Sequence, residues 1–183
     1  VGGNSYVVPA TISSDRLSWK ALLTPTAAGG NFSVRAECRQ GCSGAAEIDD
    51  VTFGDVWLCS GQSNMALPLL HTFHRNITRD ALLLKHAGNK GTDIRITGLK
   101  GNMNIDQPWV SAAVAAAGDP QKNDLFQFSS TCFYFATSLL EKLPEGEGYP
   151  PPLGLIHNSW GGSMIESWIP EDVVRTCAGS ADQ

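Results

Sequence analysis

The sequence predicts an α/β fold, a parallel sheet flanked by helices, preceded by an all-β segment. Three observations carry this. Val56-Trp57-Leu58-Cys59 and Leu153-Gly154-Leu155-Ile156 are short, continuously apolar runs, as strands buried on both faces should be. Helical spacing lies between them. Before Gly54 no helical period appears, only short alternating runs separated by turn residues. Residues 1–53 therefore read as the C-terminal part of a β-sandwich domain, and residues 54–183 as the N-terminal, incomplete part of an α/β domain.

In chain order, Leu17-Ser18-Trp19-Lys20-Ala21-Leu22-Leu23 and Phe32-Ser33-Val34-Arg35-Ala36 alternate in part. Thr24-Pro25 and Gly29-Gly30-Asn31 mark turns around them. Val51-Thr52-Phe53 leads through Gly54 into the first apolar run. Asn76 to Ala87 fits a helix, and Asp93-Ile94-Arg95-Ile96-Thr97 a second buried strand. Phe126 to Leu143 is the strongest helical stretch, with Phe128, Cys132, Phe135, Ala136 and Leu139 on the buried face and Gly146 after its end. Alternating strands and helices imply parallel pairing.

The 183 residues suffice for one ordinary domain plus part of another. The 13 basic and 18 acidic residues give a net charge of −5 with no basic block, which argues against a nucleic-acid partner. No apolar run approaches the roughly 18 residues that span a bilayer, so no membrane partner is expected. The chain opens at Val1 with neither a methionine nor a signal-peptide pattern, the expectation for a processed product or a fragment. Of five cysteines, at least one must be unpaired or pair outside the chain; Cys38 and Cys42 can pair across Gly41. Zinc at that pair lacks a second pair of ligands at suitable spacing. Asn31-Phe32-Ser33 and Asn76-Ile77-Thr78 are glycosylation acceptors. With a local disulfide they point to a secreted or lysosomal protein.

Ligands in open α/β sheets sit beyond the carboxyl ends of strands, and two such ends carry unusual residues. After Cys59-Ser60 comes Gly61-Gln62-Ser63-Asn64, where a sharp turn can expose a hydroxyl while backbone N–H groups face a developing oxyanion. The bland alternative is that Ser60 and Ser63 cap the next segment. The second end is Asn158-Ser159-Trp160-Gly161-Gly162-Ser163, whose glycines allow close backbone approach to a ligand. Its bland alternative is a tight turn with Ser163 capping a helix. Ser159 as nucleophile is a rival, but His157 stands where a nucleophile elbow needs its first glycine.

The Val56-to-Met65 block, with Gly61-Gln62-Ser63-Asn64-Met65, resembles the first block of the sialate O-acetylesterases, in the wider SGNH hydrolase superfamily. Pro152-Leu153-Gly154-Leu155-Ile156, Ser159-Trp160-Gly161-Gly162-Ser163 and Ile165-Glu166-Ser167-Trp168 resemble its later block, which more often has threonine where Ser163 stands. Phe128-Ser129, opening a helix, also matches. The resemblance spans roughly residues 50–170. It implies a three-layer, flavodoxin-like parallel sheet preceded by a sandwich. It implies Ser63 as nucleophile, an acetyl-enzyme, and oxyanion donors from Ser63 and the Gly161-Gly162 turn. Gln62, Asn64, Ser163 and Glu166 become candidate oxyanion or substrate-binding residues, and Glu166 and Trp168 candidates for shaping a sugar pocket. The implied substrate is an O-acetylated sugar, with acetylated xylan or mere glycan binding as alternatives; no metal or other cofactor is needed.

A serine nucleophile needs a histidine base and an orienting carboxylate. In the family these lie together, the aspartate two or three residues before the histidine. None of His71, His74, His86 and His157 has Asp or Glu at that spacing. His71 and His74 read as rim or solvent-facing residues, although a helical i, i+3 pair can also hold a metal; His157 reads as a polar residue near a strand end. The expectation is that the catalytic Asp and His come from a further C-terminal segment or a second chain.

Overall fold

A computed structural model describes residues 5–39, 41, 43–87, 94–98, 108–119, 121–143 and 150–179. Two compact units divide between Phe53 and Gly54. The first contains two separate antiparallel pairs. β1 (Ala10–Ile12) pairs with β2 (Trp19–Ala21), and β3 (Gly29–Glu37) with β4 (Ala45–Phe53). Two irregularities interrupt the second pair, between Gly29 and Phe32 and between Phe32 and Val34. They bend the ladder beside Asn31, which sits at φ 63°. Among the described residues this unit is all-β.

The second unit holds the sheet that positions the site. β5 (Asp55–Gly61) leads into a short helix α1 (Ser63–Ala66), a 3-10 turn (Leu69–His71) and α2 (Arg75–Ala87). β6 (Ile94–Thr97), β7 (Val110–Ser111) and α3 (Ala112–Ala116) follow. A 3-10 turn (Asp124–Gln127) then precedes α4 (Ser130–Lys142), β8 (Leu153–Ser159) and α5 (Glu171–Gly179). The sheet order is β5-β8-β6-β7. β8 is parallel to β5 and to β6, whereas β7 runs antiparallel to β6. The sheet is thus mixed, with a parallel centre. β7 directly precedes α3 and runs back along β6.

One face of the sheet forms the core. Ile94 and Ile96 pair in register with Leu153 and Leu155, and all four are buried together with Phe126, Phe128 and Phe133. α4 packs against β8 on this side. Its side chains differ from the sequence expectation. Phe126 and Phe128 lie before the helix, because Ser129 is its N-cap and accepts from the Cys132 N–H at 3.2 Å. Phe133 is buried, whereas Phe135 is 40% exposed and meets Trp57 edge to face at 5.0 Å.

β5 also departs from expectation. It was read as buried on both faces, but it is the edge of the described sheet, with Val56 61% and Leu58 64% exposed. Side chains alternate across a strand. Trp57 and Cys59 therefore turn toward α4, and Val56 and Leu58 turn to a face no described helix covers. Cys59 is joined to Cys132 of α4 by a disulfide with a Cα–Cα distance of 5.8 Å. Cys38 is also disulfide-bonded; its expected partner Cys42 lies outside the described residues. Cys177 is exposed.

The Cys59–Cys132 bridge closes 73 residues of chain and joins two core side chains. Replacing both cysteines by alanine is expected to lower unfolding free energy by about 2–4 kcal/mol. Urea denaturation of the variant against wild type measures this; an unchanged midpoint and slope would rule it out.

Candidate active site

Two strand ends meet because β5 and β8 run parallel in unbroken register from Asp55↔Leu153 to Gly61↔Ser159. Both finish level, so the turns that follow them are neighbours. Trp160 N–H donates to Gly61 O at 2.9 Å, one step beyond the last rung. Gln62 Nε2 then donates to Ser163 O at 3.3 Å and links the turns through a side chain.

Ser63 is exposed, as a nucleophile must be. It opens α1, and its cap is Gln62 rather than a serine: Gln62 Oε1 accepts from Ser63 N–H at 3.3 Å and from Ser63 Oγ at 3.0 Å. Capping by Ser60 or Ser63, the bland alternative, does not occur, and the Ser63 hydroxyl is left at the surface. Asn64 is exposed beside it, its carbonyl held by Thr131 Oγ1 at 2.9 Å.

The facing turn, 160–163, has an open backbone. Among the described residues no hydrogen bond engages the N–H of Gly161 or Gly162, and a Cβ added at either meets nothing within 4 Å. Gly162 has φ +79°, which side-chain-bearing residues adopt at a cost. Ser163 does not cap a helix, as the bland alternative would have it. Its Oγ donates to Trp160 O at 2.8 Å and accepts from Trp168 Nε1 at 2.8 Å, closing the turn from inside. Trp168 is thereby a brace for the turn. Glu166 lies on the exposed 3-10 turn Ile165–Trp168.

A strap of bonds holds the nucleophile turn from the other side. Leu69 N–H donates to Phe128 O at 2.9 Å, and Ser130 N–H to Leu67 O at 2.8 Å. The Cys59–Cys132 bridge lies just below. Sequence reasoning noted both cysteines and missed their pairing. The usable signal was that both fell in segments expected to be buried, Cys59 in an apolar strand and Cys132 on the buried face of a helix.

His157 is the residue the sequence understated. It is 3% exposed, with Nδ1 3.1 Å from Gly98 O and Nε2 2.6 Å from Ser159 Oγ. Ser159, the rival nucleophile, is itself only 3% exposed and is engaged there, out of reach of a substrate. Gly98 has φ +81°, and a Cβ on it would fall 2.1 Å from His157 O, so only glycine fits. Burial pushes the His157 pKa below its ordinary 6.5, against the opposing pull of the Gly98 and Met65 carbonyls. His71 and His74 are exposed, and the Ser63 hydroxyl bonds Gln62 instead. His86 has no described side chain. Among the described residues no group of three His, Cys, Asp or Glu converges to hold a metal.

An exposed serine, an open glycine turn and two parallel strand ends thus lie together at one end of the sheet. Over 87% of its length the chain is 31% identical to the human sialate O-acetylesterase and 28% identical to that of Rattus norvegicus. It spans 30% and 29% of those proteins, less than a third of their length. A carbohydrate acetylesterase structure from Xanthomonas citri matches with a TM-score of 0.61 and 24% identity, covering 87% of this chain and 33% of that one; this likeness concerns the fold. No protein-family model matches. The likeness to these sialate O-acetylesterases agrees with the resemblance carried by the Gly61–Met65 and Ser159–Ser163 blocks.

The neutral His157 ring has a pH signature. The unfolded chain takes up the proton near pH 6.5, the folded chain only at lower pH. The stability the neutral ring contributes is therefore complete above pH 6.5 and is lost as pH falls toward the folded value. The stability advantage of wild type over His157→Gln should shrink between pH 8 and pH 5 in urea denaturation. An advantage constant across that range would contradict a buried neutral ring.

Proposed function

We propose that this chain carries the nucleophile of a serine O-acetylesterase acting on acetylated sugars, with O-acetyl sialic acids as the substrate class. The observation that carries it is exposed Ser63 near the Gly161 and Gly162 N–H groups, which make no hydrogen bond among the described residues. The named relatives support the acetyl-ester chemistry.

In the reaction, Ser63 Oγ adds to the acetyl carbonyl and gives its proton to a histidine. The tetrahedral oxyanion is held by the Gly161 and Gly162 N–H groups and by Ser63 N–H once Gln62 releases it. One such donor is worth about 2.7–4 kcal/mol of barrier. Collapse expels the sugar hydroxyl, which takes the proton back, and leaves acetyl-Ser63. Water then cleaves this ester, the histidine again taking and returning a proton, and acetate leaves. Gln62, Asn64, Ser163 and Glu166 line the approach on the sugar side.

The base comes from elsewhere. His157 is committed to Ser159, and Ser63 Oγ donates to Gln62. A further segment or second chain supplies Asp and His and adds to the β5 edge. It completes the three-layer, flavodoxin-like sheet and covers Val56 and Leu58. The first unit is then part of a sandwich. The buried disulfide and the exposed Asn31 and Asn76 fit a secreted or lysosomal glycoprotein.

A fluorophosphonate probe tests this. The chain alone should label weakly at Ser63. Co-expression with the remaining two thirds of a relative of this family should raise labelling and aryl-acetate hydrolysis together by at least about a hundredfold, and Ser63→Ala should abolish both. Strong labelling at Ser159, or turnover unaffected by Ser63→Ala, would refute the assignment.

A further inference from the structure

One buried imidazole ties the end of β8 to the residue that follows β6. His157 lies on β8 two residues before the strand ends. Its Nδ1 meets the Gly98 carbonyl just past β6, and its Nε2 meets Ser159 Oγ at the end of β8. Phe128, just before the α4 cap, stacks edge-on at 5.3 Å. Gly98 O, Ser159 Oγ and the Phe128 ring are all neutral groups.

We propose that His157 is a positioning residue for the Ser63 site, held as the neutral Nδ1–H tautomer so that Nε2 fixes the Ser159 hydroxyl and, through Ser159, the 160–163 turn. This rests on the reading of Ser63 as nucleophile. The tautomer follows from the partners. A carbonyl oxygen cannot donate, so the nitrogen facing Gly98 O must carry the proton. Nε2 is then an acceptor, and the Ser159 O–H donates to it. Burial supports the neutral form.

The consequence is local. Ser159 pairs with Gly61, and Trp160 N–H bonds Gly61 O, so the residue that His157 pins is the one from which the glycine turn departs. Losing the Nε2 acceptor leaves a buried hydroxyl free to swing. The turn then loses its fixed distance from Ser63. This affects the oxyanion donors more than the binding of the sugar, so kcat falls while KM holds.

The experiment has two arms. On the chain itself, nitrogen-15 NMR of the imidazole should show the Nδ1–H tautomer. Amide exchange at Trp160 should quicken about tenfold in His157→Phe and Ser159→Ala, with Leu155 unchanged, and stay near wild type in His157→Gln, whose amide oxygen still accepts from Ser159. On the co-expressed enzyme, His157→Phe should lower kcat about tenfold or more at constant KM, with His157→Gln restoring most of it. Ser159→Ala keeps the test valid if the phenylalanine variant does not fold. An Nε2–H tautomer, or Trp160 exchange unmoved by Ser159→Ala, overturns the proposal. If Ser63→Ala leaves turnover intact, the esterase reading fails instead, and the exchange arm still decides the role of His157.

Discussion

The level finish of two parallel strands governs everything else in the second unit. β5 and β8 keep one register over seven residue pairs, ending at Gly61↔Ser159. A slip of one residue would send each side chain to the opposite face. Cys59 would then turn away from Cys132 and Trp57 away from Phe135. The turns beyond the strands would also separate, and with them the Trp160-to-Gly61 bond. The disulfide, the aromatic contact and the site all require the same alignment. Function and packing therefore select one register together.

The nucleophile turn is braced on two sides by different means. Toward α4 the bracing is covalent and backbone-based: the Cys59 bridge and the paired bonds of 67–69 with 128–130. Toward β8 the backbone bond from Trp160 to Gly61 is supplemented by side chains, through Gln62, Ser163, Trp168 and His157. Backbone and disulfide bracing tolerate little movement, whereas a side-chain link such as Gln62 can let go. Gln62 now caps Ser63, so releasing it frees both the hydroxyl and the N–H beneath it. The opposite face of the sheet is a contrast, since Val56 and Leu58 stand uncovered where a parallel sheet normally carries helices.

Much of this was legible from residue patterns. The apolar runs located β5 and β8, the helical spacing located α2 and α4, and small residues after each strand located both turns. Exposure of β5 was not legible, because an apolar strand reads alike whether or not its cover is present. The start of α4 was misplaced because Phe126 and Phe128 continue the helical period through a 3-10 turn, and the capping of Ser129 outweighs that period. The Ser163 and Gln62 contacts join residues 101 positions apart, and no local rule reports such a distance. His157 escaped notice for a related reason: its partner Gly98 is 59 residues away and contributes only backbone.

The most direct measurement is a crystal structure of the co-expressed enzyme with a phosphonate bound covalently. The account predicts the adduct on Ser63, with the phosphonyl oxygen about 2.7–3.1 Å from N–H groups of the 161–162 turn. An adduct on another serine, or a phosphonyl oxygen turned to solvent away from that turn, would contradict it.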